Sequence, residues 1–193
     1  MAGEPLFDAV LTERRLLDHP QVGVLIWWAT RFAELGFTPS YGPGDHGNLS
    51  CRTEQGCLIT ARETVKARLT PKDFVEVLGR EELSGRPRLL CRGLRLPSTD
   101  ALVHLRVYDT RPDVRAVLHG HDASTLTKAA ELDLPVTTHS AAVPSMALID
   151  DVCQLIRQQD YLLLRDHGFL AVGRSIDEAG ELVRRLCSRA RSF

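Results

Sequence analysis

Two histidines separated by one glycine close an apolar run in "AVLHGHD", residues Ala116 to Asp122. On a β-strand the side chains at i and i+2 leave on the same side, so His119 and His121 would present two imidazoles together. A neutral imidazole ligates a divalent metal, titrates near physiological pH, or simply packs. His167 also follows an apolar strand-like run, in "YLLLRDHGF", and turn residues flank it. Three histidines at strand ends would fill three positions of a zinc-like site and leave the fourth open, the arrangement a catalytic metal uses. Spacing alone does not bring the three together.

The elements that must position these residues follow from the local pattern. "PQVGVLIWWATRFAELGFTP" predicts a largely buried helix after Pro20, ended by Gly36 and Pro39. "YGPGDHGNLSCR" reads as a Gly-rich loop entering a strand, with "GCLITA" and "KDFVEVLG" as further strands. "LPSTDALVHLRVYDTRP" predicts a helix capped by Ser98 or Thr99, with Asp100 in its first turn and its end before Pro112. "VRAVLHGHD" is then a buried strand and "ASTLTKAAEL" a short helix. "DYLLLRDHGFLAVGR" reads as two strands joined at Asp166-His167-Gly168, residues that tolerate left-handed backbone. "SIDEAGELVRRLCSRARSF" opens with capping-box spacing at Ser175 and Glu178 and closes the chain as a helix. The mixture is α/β, with more hairpin pairing than repeated βαβ units.

Composition narrows the partners. The 44% hydrophobic and 25% charged fractions are those of an ordinary globular protein, and 193 residues suit one domain spanning 1–193. A net charge of −1 offers no nucleic-acid or membrane surface. The basic stretch "RRLCSRARSF" suits the negative end of a helix better than an RNA-binding tail. No apolar run approaches the ~20 residues of a membrane span, and the first residues lack the pattern of a signal peptide. Five scattered cysteines without a CxxC argue against disulfides or a thiolate zinc site. Free thiols in a cytoplasmic protein are the expectation.

"GNLSCR", "LPSTDALVHLRVYDTRPDVRAVLHGH" and "LLLRDHGFLAVGRSIDEA" together resemble the class II aldolase/adducin family, in that family's order, from about Gly36 to Ala179. The resemblance implies a three-layer α/β/α fold with a central, mostly antiparallel sheet covered by helices. It implies His119, His121 and His167 as metal ligands, most often for Zn2+, and Asp100 as the catalytic acid or base. The metal would hold substrate oxygens and stabilise an enediolate as a Lewis acid. An aspartate in a first helical turn also has a plain electrostatic reason to be there. By the same resemblance, Asn48, Thr60, Arg62, Ser98 and Thr99 would line the anionic end of a carbonyl or sugar-phosphate substrate. A homotetramer with fourfold symmetry is implied as well.

Several positions depart from the family pattern. Arg62 and Glu63 stand where a Ser-Gly pair is common, which removes the glycine that lets backbone approach a phosphate. Arg62 would either grip an anion bidentately or pair with Glu63 or another surface acid. In "TTHSAA", Thr137 to Ala142, Ser140 and Ala141 replace the acid that family epimerases use, while His139 remains. A closing tyrosine from a C-terminal tail is missing unless the loop holding Tyr41 supplies one, and Tyr108 is expected to pack. The expected function is a divalent-metal-dependent lyase cleaving a carbon–carbon bond. An epimerase or dehydratase on the same scaffold, or an adducin-like assembly module, is the alternative. The module reading is weakened because all three histidines are present.

Overall fold

The computed structural model describes residues 5–83, 85–141 and 145–192. Among them, nine strands form one sheet: β1 Asp8–Glu13, β2 Asn48–Arg52, β3 Cys57–Thr60, β4 Phe74–Leu83, β5 Arg86–Gly93, β6 Ala116–Gly120, β7 Val136–Ser140, β8 Tyr161–Arg165 and β9 Gly168–Gly173. Their spatial order is β1-β5-β4-β3-β2-β6-β9-β8-β7. Only the outer pairs, β1 with β5 and β7 with β8, are parallel, so the sheet is mostly antiparallel as expected. Helices α2 (Ala101–Thr110) and α4 (Met146–Ile156) cover one face. Helices α1 (Val22–Glu34), α3 (Ala123–Thr127) and α5 (Ile176–Arg191) cover the other.

Two covered faces explain why the central strands read as unbroken apolar runs. On β6, Val117 points to the α2/α4 side while Ala116 and Leu118 point to the α1/α5 side. On β9, Leu170 and Val172 take the first side, Phe169 and Ala171 the second. The alternation of a strand persists, but both faces exclude water. His119 shares the face of Val117 by the same rule. The site therefore lies on the α2/α4 side.

Helix α1 buries Val22, Leu25, Trp28, Ala29 and Phe32, a spacing that keeps one stripe facing the sheet. It ends as the sequence predicts, with Gly36 at a φ of 79°. The Gly36 N–H donates to the Ala33 carbonyl at 3.1 Å and the Phe37 N–H to Phe32 at 2.8 Å. The Phe32 and Phe37 rings then meet at 5.6 Å, the hydrophobic contact that accompanies this kind of helix end. Of the adjacent tryptophans, Trp28 is buried and Trp27 is 50% exposed.

Two expected helix starts need correction. Asp100 is itself the N-cap residue of α2, and its side chain caps nothing. Ser98 Oγ instead accepts from the Asp100 N–H at 3.3 Å, holding the turn that precedes the helix. At α5, Ser175 Oγ accepts from the Glu178 N–H at 3.1 Å, but Glu178 reaches back one residue further, to the Arg174 N–H at 2.6 Å. The sequence reading also assigned no element to β1, β5, β7 or α4. β1 pairs on one side only and is mostly exposed, and β5 carries Arg86, Arg88 and Arg92 alongside its buried residues, so neither shows a clean apolar signal.

All five cysteines are free and buried, as expected of structural thiols. Arg191, in the basic C-terminal stretch, is committed internally. Its Nη2 donates to the Leu35 carbonyl at 3.1 Å and to Asp122 Oδ1 at 3.3 Å. No helix among the described residues is long and apolar enough to cross a membrane.

Candidate metal centre and cavity

His119, at the end of β6, is 3% exposed. Its Nδ1–H donates to the Phe169 carbonyl across the β6–β9 pair at 2.7 Å. That bond fixes the tautomer and leaves the Nε2 lone pair free, as in metal-bound histidines oriented by a carbonyl. His121 follows the strand, and its backbone N–H donates to the Phe37 carbonyl at 2.8 Å. The end of α1 thus anchors the second histidine.

His167 arrives by a tight turn between β8 and β9. Asp166 takes a φ of 61°, the left-handed backbone the sequence pointed to, and the His167 N–H donates to the Leu164 carbonyl at 3.0 Å. Gly168 is required here for closeness: a Cβ on it would lie 2.2 Å from the Gly120 carbonyl oxygen. This approach draws His167 against the other two. The ligand-capable atoms of the three histidines all lie within 4.8 Å of one another. The ring centres of His121 and His167 are 4.4 Å apart, and the His119 and His167 rings are stacked at 5.2 Å.

Burial keeps these rings neutral. It pushes His119 well below the usual imidazole range, His121 down to about 2, and His167 downward against the opposing pull of the Asp100 carboxylate. His121 Nε2 is buried without a partner among the described residues. Three neutral imidazoles, one with an orphaned nitrogen, match the donor set of a divalent ion with an open position.

The triad opens on a cavity of about 540 Å³. Asn48, Arg62, Ser98, Thr99, Asp100, His119, His121 and His167, eight of the nine residues expected at the site, line it. Asp100 reaches it because Asn48 Nδ2 donates to its Oδ2 at 2.6 Å, leaving Oδ1 free of that contact. Asn48 pairs with His119 across β2 and β6, so strand register couples the acid to the triad.

The ninth residue, Thr60, is not in the wall. It is fully buried, and its Oγ1 accepts from the Leu49 N–H at 3.3 Å, tying β3 to β2. Arg62 pairs with no carboxylate within 4 Å among the described residues; its Nε donates to the Pro97 carbonyl at 3.2 Å. Glu63 holds a φ of 55°, so the loop keeps the left-handed turn that a glycine would favour.

The cavity also gathers residues that the motifs did not single out. The His46 ring is 4.7 Å from His121 and 4.7 Å from Tyr41, and both His46 and Tyr41 line the wall. Tyr41 is thus a loop-borne tyrosine at the site. Lys66 is 2% exposed and donates from Nζ to the Asp45 and Thr64 carbonyls at 3.0 and 3.1 Å, and burial lowers its pKa to about 8. His104 lines the wall too. Tyr41 lies in the loop the sequence pointed to, whereas His46, Lys66 and His104 have no regular spacing to the triad, so no pattern announced them. His139, by contrast, is tied to Asp151, with its N–H at 2.7 Å and its Nδ1 at 3.0 Å, and is outside the wall. Ala141 lines the cavity, whereas Ala142 lies outside the described residues.

Fold and site define an α/β protein with a three-histidine centre opening on a polar-ended cavity. The chain belongs to the class II aldolase family: the Class II Aldolase and Adducin N-terminal domain matches residues 27–191. The chain is 30% identical over 163 residues to a methylthioribulose-1-phosphate dehydratase of Pseudoalteromonas translucida, covering 70% of this chain and 74% of that one. It is 28% identical over 151 residues to an L-fuculose phosphate aldolase of Haemophilus influenzae, covering 70% and 66%. The fold is similar to that of L-fuculose-1-phosphate aldolase from Thermus thermophilus, with a TM-score of 0.69, 24% identity, and 88% and 90% of the two chains covered.

Proposed function

We propose that this chain is a divalent-metal-dependent lyase that cleaves, or forms, a carbon–carbon bond in a small hydroxy-carbonyl compound, with a sugar phosphate as the preferred class. The reading rests above all on the convergence of three neutral histidines beside an acid, Asp100, in the wall of the same cavity. His119, His121 and His167 would hold the ion, zinc being the choice that imidazole donors favour. Bound there, it would supply Lewis acidity to the substrate carbonyl and to the enediolate left by bond cleavage.

The chain's own residues do the rest. Asn48 holds the Asp100 Oδ2, which leaves Oδ1 to deliver or take the proton at the reacting carbon. Ser98, Thr99 and Arg62 lie at the cavity wall where the anionic end of the substrate would rest, and Lys66 adds positive charge nearby. Thr60 supports that end from behind, through its bond to the β2 backbone. Chain 1–193 would work as one domain, assembled as a cytoplasmic homotetramer, with neither nucleic acid nor membrane as partner.

A dehydratase on the same site is the second reading, favoured by the 30% identity to a methylthioribulose-1-phosphate dehydratase. The two share the polarised carbonyl and differ in whether a carbon fragment or water leaves. Epimerisation by the family route is disfavoured by Ser140 and Ala141 at the position of its acid. Metal content by mass spectrometry, on untagged protein purified without chelators, tests the core of the reading. About one divalent ion per chain, lost in His119→Ala, is expected. Product analysis with phosphorylated ketoses then separates the reactions, two carbon fragments marking the lyase and one dehydrated product the dehydratase. A folded protein that takes up no zinc or manganese would leave the assembly-module reading.

A further inference from the structure

The residues behind Asp100 form a polar ladder between β2 and α2. Side chains on one face of a strand recur every two residues, about 6.8 Å, and on one stripe of a helix every four, about 6 Å, so rungs can match. Asn48 meets Asp100 in the first rung. In the second, Ser50 Oγ lies 2.7 Å from His104 Nδ1 and 2.8 Å from Tyr108 OH. Arg52 closes the far end, donating from Nη2 to the Tyr108 carbonyl at 2.6 Å with its guanidinium 4.8 Å from the centre of that ring. Ser50 and His104 are 0% exposed and Tyr108 is 3% exposed.

Proton accounting gives this ladder a direction. Ser50 is the partner found for the Tyr108 hydroxyl among the described residues. Were Ser50 to donate to Tyr108, the phenolic proton would be left without an acceptor in a dry interior. With Tyr108 donating to Ser50, and Ser50 donating to His104 Nδ1, both hydroxyl protons are used. The imidazole must then carry its own proton on Nε2. That nitrogen is buried, has no partner among the described residues, and belongs to a side chain in the cavity wall. Burial lowers the His104 pKa to about 4, which agrees with a neutral ring. The ladder thus leaves one unmet donor on a buried side chain of the cavity wall, on the helical stripe that carries Asp100.

We propose that His104 contacts the substrate, donating its Nε2–H to a substrate oxygen next to the carbon served by Asp100. This rests on the lyase reading and adds to it a fixed donor. The donor would hold a hydroxyl or enediolate oxygen while Asp100 moves the proton. Its tautomer is set from behind by Ser50 and Tyr108, two residues that never touch the substrate.

The test uses glycolohydroxamate, a small O,O-chelating mimic of an enediolate, titrated calorimetrically into zinc-loaded protein. His104→Phe is expected to keep its zinc and to bind the probe at least tenfold more weakly. His104→Gln, which can return an N–H near the Nε2 position, should recover most of the loss. Ser50→Ala, which frees Nδ1 to take the ring proton, should show the loss even if the Phe variant does not fold. Nitrogen-15 ring spectra of the wild type should show the Nε2–H form from pH 6 to 8. An Nδ1–H ring, or zinc-loaded His104→Phe with wild-type affinity for the probe, would overturn the proposal while leaving the lyase reading standing. Failure of the wild type to take up zinc would instead bring down the lyase reading, and the substrate contact with it.

Discussion

The two faces of the sheet are filled in opposite ways. On the α1/α5 side, Phe32, Phe37 and Phe169 meet edge to face at 5.6 to 5.8 Å, and Trp28 donates from Nε1 to Asp177 at 2.7 Å. Gly180 lies so close under Trp28 that a Cβ there would come within 2.4 Å of the indole. On the α2/α4 side the core stops short and leaves about 540 Å³ open. Asn48 Oδ1, His104 Nε2 and His121 Nε2, all buried and unmatched among the described residues, belong to side chains at that opening. A buried polar atom without a partner costs roughly 1–3 kcal/mol, so one face stabilises the fold and the other spends stability on a site. The same strands serve both because their side chains alternate.

The largest effect that should distinguish the faces is catalytic. Asp100→Asn removes the proton carrier while keeping the shape of the pair with Asn48, so turnover should fall by about 10²–10⁴-fold with metal content unchanged. Turnover measured beside metal analysis checks this, and an equally active variant would remove Asp100 from the chemistry. Next comes packing on the closed face. Phe32→Ala, at a 0% exposed position among aromatic rings, should cost about 3–5 kcal/mol in denaturant unfolding while the folded protein keeps its ion.

Acid should act through the open face. His104 has a folded pKa of about 4 against about 6.5 in the unfolded chain. Above pH 6.5 neither state binds the proton and the stability is fully present. As the pH falls from 6.5 toward 4 the unfolded chain protonates first, and up to about 3 kcal/mol is lost. Stability curves of the wild type and His104→Gln across that range should converge in acid; parallel curves would show that His104 contributes nothing to the pH dependence. The smallest effect is expected for Leu148→Ala, in the cavity wall, at about 2 kcal/mol, because its neighbours already face open volume. A cost equal to that of Phe32→Ala would erase the contrast between the faces.

Much of this was legible in the chain. Local rules placed α1 and its glycine end, the β8–β9 turn at Asp166, and the strand that carries His119 and His121 on one side. These depend on residues within a few positions of each other, where propensity and periodicity act. Helix α4 was legible too, through Ser145 as its cap and the spacing of Leu148, Ile149, Val152 and Ile156, but was not assigned. Asp100 reads from the sequence as a first-turn residue of α2 but is its N-cap, and its partner Asn48, 52 residues away, has no local signal.

By itself the sequence determined the kinds of atoms available: three histidines at strand ends, an acid at the start of a helix, and motifs in a family's order. The tertiary structure alone decided that these atoms meet. His167 joins the pair because Gly168 lets β9 press against β6, and His121 is held by a carbonyl from the end of α1. It also decided which candidates stand apart, as Thr60 does, and which unannounced side chains enter, as His46, Lys66 and His104 do. The physical reason is range. Side-chain direction follows from a residue's own strand or helix, whereas proximity follows from sheet order and register, which long-range packing of the whole chain sets.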